Sequence, residues 1–220
     1  MKKLITSTFA VAALFAAAGV TAQEVKGDAK AGEKKIAMCI GCHGIHGYQA
    51  SFPEVYRVPK ISGQSEKFLV SALNAYKQGE RKHPTMRGIA ESLSEQDMAD
   101  MAAYYSAHGV AAGAAPAPKN TEPSAKVAEL LKKGNCASCH GDNLSKPISP
   151  DYPKIGGQYA DYLFVALKSY KQEKSNVWGR SNGVMGGIAK QFSNAELKEL
   201  SNYIAAQQGD LKTIPQKKFR

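Results

Sequence analysis

All four cysteines of this chain fall in two short runs, Cys39-Ile40-Gly41-Cys42-His43 and Cys136-Ala137-Ser138-Cys139-His140. Two thiols about one helical turn apart can form thioethers with the two vinyl groups of one porphyrin. A histidine directly after the second thiol can turn back beneath the same ring and ligate its iron. C-x-x-C-H is therefore the pattern of covalent c-type haem attachment. Two runs imply two covalently bound haem c groups, held by Cys39 and Cys42, and by Cys136 and Cys139, with His43 and His140 on the irons. Other uses of paired cysteines fit less well. A thioredoxin-like site needs a strand-to-helix context and no following histidine. A structural zinc site leaves the repeated histidine unexplained, and a disulfide within either pair would close a very short loop.

What completes the iron coordination decides the chemistry. A haem with one histidine ligand leaves a position open to oxygen or peroxide, whereas a sixth protein ligand closes it and leaves electron transfer. In the second half of the chain Met185 is the only methionine and His140 the only histidine. Met185 follows His140 by 45 residues and Met86 follows His43 by 43, each opening a repeated Gly-Ile-Ala segment. Met86 and Met185 are therefore the candidate distal ligands. Met98 and Met101, at helical spacing with Tyr104, read as packing residues, and Met38 beside Cys39 is wrongly placed for the distal face. His83 has no histidine counterpart in the second half, where Val177, Trp178 and Gly179 occupy its neighbourhood. It reads, like His46 and His108, as a surface or hydrogen-bonding residue. The carbonyls of Pro59 and Pro153 could accept the free ring N–H of each ligating histidine and fix its tautomer. Plain turn formation is the equal alternative for these prolines.

The elements that must position these groups come in two copies. Pro59-Lys60-Ile61-Ser62-Gly63-Gln64 recurs as Pro153-Lys154-Ile155-Gly156-Gly157-Gln158, and Ala75-Tyr76-Lys77-Gln78 as Ser169-Tyr170-Lys171-Gln172. Met86-Arg87-Gly88-Ile89-Ala90 recurs as Met185-Gly186-Gly187-Ile188-Ala189, and Tyr104 is matched by Tyr203. Order is kept throughout, which marks a duplicated unit. The expected organisation is a first unit over 23–112, a proline- and alanine-rich linker over 113–123 and a second unit with a basic tail over 124–220.

Both units read as all-α. Phe68, Leu69, Ala72, Leu73 and Tyr76 mark one helical face, repeated by Tyr162, Leu163, Ala166, Leu167 and Tyr170. Ser94 with Asp97, and Ser193 with Glu196, predict helix starts, the second as a capping box. A further helix is expected to lead into each haem motif, around Ala29 to Met38 and Ala125 to Lys133. No alternation suggests strands. Domains this small are marginal alone, and a covalently held haem supplies apolar core.

Residues 1–22 read as a secretory signal peptide: Met1-Lys2-Lys3, an apolar stretch from Leu4 to Val20, then small residues before a cleavage point after Ala22. An uncleaved anchor is the other reading, disfavoured because the apolar stretch falls short of the ~20 residues that span a bilayer. Export with haem-attachment motifs implies the periplasm.

In combination these motifs resemble the cytochrome c4 family, the dihaem class I cytochromes c of bacteria. The resemblance implies two tandem cytochrome c domains related by a pseudo-twofold axis, with haems facing each other near the interface. It carries His43 and His140 over as proximal ligands and Met86 and Met185 as distal ones. It also implies a carrier of single electrons, not an enzyme, between a respiratory donor and a terminal oxidase. An alternative is a haem subunit of a periplasmic oxidoreductase, such as a sulfide-oxidising flavocytochrome. The segments from Ile45 to Val58 and around Ser175 to Gly183 depart from the repeat and are expected near the haem rims.

Charge is unevenly shared. Residues 23–115 carry 11 Lys and Arg against 10 Asp and Glu, and residues 116–220 carry 16 against 9. The excess, which includes Lys212, Lys217, Lys218 and Arg220, suggests an acidic redox partner or an anionic membrane surface. Nucleic acid is excluded by the export signal and the haem motifs.

Overall fold

The computed structural model describes residues 25–110, 121–141, 143–172 and 175–215. The expected signal peptide, most of the expected linker, and Lys217, Lys218 and Arg220 lie outside these residues.

The first unit runs α1 (Ala29–Glu33), α2 (Ala37–His43), β1 (Gln49–Ala50), β2 (Tyr56–Arg57), α3 (Glu66–Lys77), β3 (Arg81–Lys82), α4 (Pro84–Glu91) and α5 (Glu95–Ala107). The second runs α6 (Ala125–Gly134), α7 (Ala137–His140), α8 (Ala160–Tyr170), β4 (Gly179–Arg180), α9 (Gly183–Ala189) and α10 (Asn194–Ala206). Local chemistry sets the helix ends. Ser94 Oγ accepts from Asp97 N–H while the Asp97 carboxylate accepts from Ser94 N–H, and Ser193 with Glu196 does the same. Both capping boxes close, so aspartate serves as well as glutamate here. Helix α6 starts on Ser124 and ends at Asn135, whose left-handed conformation (φ 47°) stops it.

The helix expected from Ala29 to Met38 is broken. Helix α1 ends at Glu33 and α2 begins at Ala37. Gly32 lies so close to α5 that a Cβ there would collide with the Asp100 carbonyl. The turn after it delivers Ile36 and Ile40 to the core.

Each unit has its own core. Ile36, Ile40, Leu93, Met98, Met101 and Tyr105 form the first, and Leu130, Leu144, Leu163, Phe192, Leu197, Leu200 and Ile204 the second. Met98 and Met101 are thus packing residues, as their spacing predicts.

Among the described residues, four two-residue strands correct the expectation of no strands. They are too short to show a period. Strands β1 and β2 pair within the first unit, while β3 pairs antiparallel with β4 across the two units, Arg81 opposite Arg180. The units are joined further by the repeated Pro-Lys-Ile-x-Gly-Gln segment. Gln64 Oε1 accepts from Lys154 N–H and Gln64 Nε2 donates to the Lys154 carbonyl, both at 2.9 Å. Gln158 does the same to Lys60, at 3.0 and 2.9 Å. Both glutamines are buried, so each amide satisfies a peptide group that would otherwise be stranded. Arg57 pairs with Asp161 at 2.8 Å and Lys168 with Glu54 at 2.6 Å. The C-terminal segment returns to the first unit, where Lys212 N–H donates to the Ser62 carbonyl at 3.0 Å and Lys212 Nζ to the Gly109 carbonyl at 2.9 Å. Among the described residues no helix is long and apolar enough to cross a membrane.

Candidate functional site

Helix α2 carries Cys39, Cys42 and His43, and Cys136 caps the short α7 that carries Cys139 and His140. None of the four cysteines is in a disulfide. Among the described residues no three His, Cys, Asp or Glu side chains converge as a metal cluster, so the zinc reading has no geometry behind it. Burial pushes the Cys39 thiol up to about 11 and raises Cys136 as well.

His43 Nδ1–H donates to the Pro59 carbonyl at 2.8 Å, and His140 Nδ1–H donates to the Pro153 carbonyl at 2.8 Å. The choice between carbonyl acceptor and plain turn former is decided for both prolines. Burial lowers the pKa of both histidines, against the opposing effect of the proline carbonyls. A neutral ring protonated on Nδ1 keeps the Nε2 lone pair for a metal.

Met86 and Met185 occupy the same turn of equivalent helices. His83 is the N-cap of α4, its Nδ1 accepting from Met86 N–H at 3.3 Å, and Asn182 is the N-cap of α9, its Oδ1 accepting from Met185 N–H at 2.9 Å. The structural counterpart of His83 is therefore Asn182, not the Val177 to Gly179 segment. The 99-residue offset that relates Met86 to Met185 also relates His83 to Asn182, but the change from imidazole to amide hides it. With Nδ1 accepting, His83 Nε2–H donates to Tyr56 Oη at 2.8 Å. His108 takes the hydrogen-bonding role expected of it, against Ser62 Oγ at 3.0 Å.

One cavity of about 800 Å³ runs through both units, lined by all four cysteines together with His43, Met86, His140 and Met185. From the two divergent segments, residues 48–53, Tyr56, Val58 and residues 178–180 also line it. Two features suit it to a large apolar group that bears carboxylates. Tyr105, which lines the cavity, holds its buried hydroxyl beside the Cys39 thiol with no N or O partner among the described residues, and burial raises its pKa well above the ordinary value. Arg81 and Arg180 also line it, face each other in register, and make no ion pair with a carboxylate among the described residues. Arg81 lies over Phe68 and Tyr76 at 5.1 and 5.7 Å, and Arg180 over Tyr162 and Tyr170 at 5.5 and 5.4 Å. Burial opposes the charge on Arg180, but Tyr162, Tyr170 and Tyr76 hold its pKa well above the usual value. Aromatic faces soften such a charge without neutralising it. Haem propionates would supply the missing negative charge, so the residues present fit the group. This arginine pair has no signature in the sequence, because its members meet only through a strand pairing between the two units.

The sequence profile described as cytochrome c matches residues 29–107 and 124–208. Cytochrome c4 of Stutzerimonas stutzeri is 33% identical over 196 residues, covering 81% of this chain and 88% of that protein. The chain belongs to the cytochrome c4 family. The crystal structure of reduced recombinant cytochrome c4 from Pseudomonas stutzeri covers 83% of this chain and 100% of that one, with a TM-score of 0.60 at 29% identity. The fold is accordingly two tandem class I cytochrome c domains. As a cytochrome c4 the chain binds two haem c groups covalently and is an electron-transfer protein. It is also similar to a protein of Thiomonas intermedia (strain K12) named thiosulfate dehydrogenase electron acceptor, 28% identical over 179 residues, with 78% of this chain and 79% of that one covered.

Proposed function

We propose that this cytochrome c4 is a periplasmic carrier of single electrons between respiratory donors and a terminal oxidase, exported by cleavage after Ala22. In this reading the first haem is attached through Cys39 and Cys42 and ligated by His43 and Met86. The second is attached through Cys136 and Cys139 and ligated by His140 and Met185. The domains are residues 23–112 and 124–220, joined by a linker over 113–123.

The reading rests on one observation: each motif histidine is locked by its proline carbonyl, and it shares the cavity with the one methionine that the repeat retains at a capped helix start. Haem iron supplies the one-electron ferric/ferrous couple. The chain fixes the imidazole tautomer, presents a thioether to complete the coordination, and keeps water from the ring with apolar walls. Histidine–methionine ligation favours the reduced state and leaves no position for a substrate. The decisive experiment is the near-infrared methionine–iron band of the oxidised protein, expected at an intensity for two haems. Its absence, or steady turnover of peroxide or thiosulfate without a partner, would remove the reading.

The likeness to a thiosulfate dehydrogenase electron acceptor supports a second reading, in which the immediate donor is a periplasmic sulfur-oxidising enzyme. Co-elution of a second polypeptide with the native protein would favour it over a free carrier.

A further inference from the structure

We propose that His83 and Asn182 are positioning residues for Met86 and Met185, and that only the His83 side chain also ties its methionine to the domain interface. The inference rests on the assignment of these methionines as iron ligands.

The two caps have almost the same backbone, φ −148° and ψ 109° at His83 against φ −151° and ψ 113° at Asn182. In each, the captured N–H belongs to the methionine itself, so the cap bond holds the backbone from which the thioether projects. An N-cap acceptor satisfies an amide that otherwise has no partner in the helix. Losing it frees the first turn, and with it the methionine.

Beyond that shared role the two residues differ. The amide of Asn182 is exposed, and among the described residues it bonds only Met185. The ring of His83 is partly buried, meets Phe52 and Tyr76 edge-on with centroids 6.4 Å away in each case, and uses its second nitrogen on Tyr56. Tyr56 is buried, lies in β2 and has its ring centroid 6.2 Å from that of Tyr162 in the second unit. The next residue, Arg57, makes the ion pair with Asp161. A continuous chain of contacts thus runs from the second unit through Tyr56 and His83 to the Met86 amide. Among the described residues no side-chain route of this kind reaches Met185; its cap meets the first unit through the backbone, where the preceding Ser181 N–H donates to the Glu80 carbonyl at 2.7 Å. The His83 side chain thus carries the docking of the two units to the first haem's methionine, whereas the Asn182 side chain reaches no further than the Met185 amide.

The test uses the full dihaem protein with four substitutions: His83→Ala, His83→Asn, Tyr56→Phe and Asn182→Ala. Proton NMR of the axial methionine methyls, carbon monoxide binding and haem-resolved redox titration are read on each. His83→Ala is expected to raise the population with Met86 off the iron by about fivefold, the worth of one cap. It should lower the first haem's potential and leave the second unchanged. His83→Asn should restore the Met86 signals, because it copies the second unit. Tyr56→Phe should lower the first potential alone, and Asn182→Ala should affect only the second haem. If His83→Ala does not mature with two haems, His83→Asn and Tyr56→Phe decide. A shifted first potential in both supports the tie, and wild-type potentials in both overturn it. Wild-type Met86 signals and potential in His83→Ala would overturn the positioning role. If the unsubstituted protein shows no methionine–iron band, the ligand assignment itself has failed, which is a separate result.

Discussion

Arg81 lies directly opposite Arg180 in the strand pair that joins the two units. Two guanidinium groups held in register favour whichever redox state of their surroundings is more negative. Replacing either with glutamine is therefore expected to lower the potential of the adjacent haem by tens of millivolts, the scale of one partly screened charge. The double replacement should lower both. A spectroelectrochemical titration reads this, and unchanged potentials would mean that the pair does not face the propionates.

Met185→Ala should open the second haem alone to carbon monoxide and remove one haem's share of the near-infrared band. Met86→Ala should do the same for the first. Loss of the whole band from a single replacement would show that the two sites are not independent.

Asp100 supplies an acid-sensitive tie in the first unit. Its carboxylate accepts from Lys35 Nζ at 2.6 Å, Asp28 N–H at 2.8 Å and Gln96 Nε2 at 2.7 Å. The Lys35 bond, then that from Asp28, hold its pKa below the usual value against the effect of burial. A depressed folded-state pKa stabilises fully above the unfolded value and is lost as pH falls through the folded one. Asp100→Asn should cost about 2 kcal/mol near neutrality, the worth of hydrogen bonds to a charged group. The deficit should shrink as pH drops below about 4, where the unfolded carboxylate takes up its proton. Thermal unfolding across pH measures it, and a deficit constant down to the lowest pH would contradict the ionised state.

Gln64→Ala should strand both polar groups of the Lys154 peptide, and Gln158→Ala those of Lys60. Each should cost about 1–3 kcal/mol, read as a lower Tm for the whole protein. Wild-type unfolding in both would show that water replaces the amide without loss.

The charge excess beyond residue 115 predicts that an acidic partner meets the second unit. Oxidation by that partner, followed by stopped flow, should slow as salt rises, more through association rate than affinity. The haem at His140 is expected to hold the higher potential. A salt-independent rate, or the higher potential at His43, would contradict this direction.

What could be read in the chain was local or repeated. The attachment runs, the Ser94 and Ser193 helix starts and the two retained methionines each declare themselves within a few residues. The features that escaped depend on meetings between distant segments. The β3–β4 pairing joins two-residue strands and gives no periodic signal. The early end of α1 lies beside a close approach of Gly32 to the distant α5. The shared role of His83 and Asn182 is invisible to residue identity, because an imidazole nitrogen and an amide oxygen accept the same bond. Gln64 and Gln158 were visible as a repeat, but nothing local shows that each one reads the backbone of the other copy.

That last relationship has a wider consequence. A contact in which each half offers the same glutamine and receives the same lysine peptide is isologous, the form of joint found in twofold-symmetric homodimers. Fusing two such halves in one chain replaces a concentration-dependent encounter with an intramolecular one. It also frees the copies to differ while the joint stays self-complementary. The cap residue beside the methionine and the balance of surface charge have diverged, and the four bonds of the glutamine exchange remain matched.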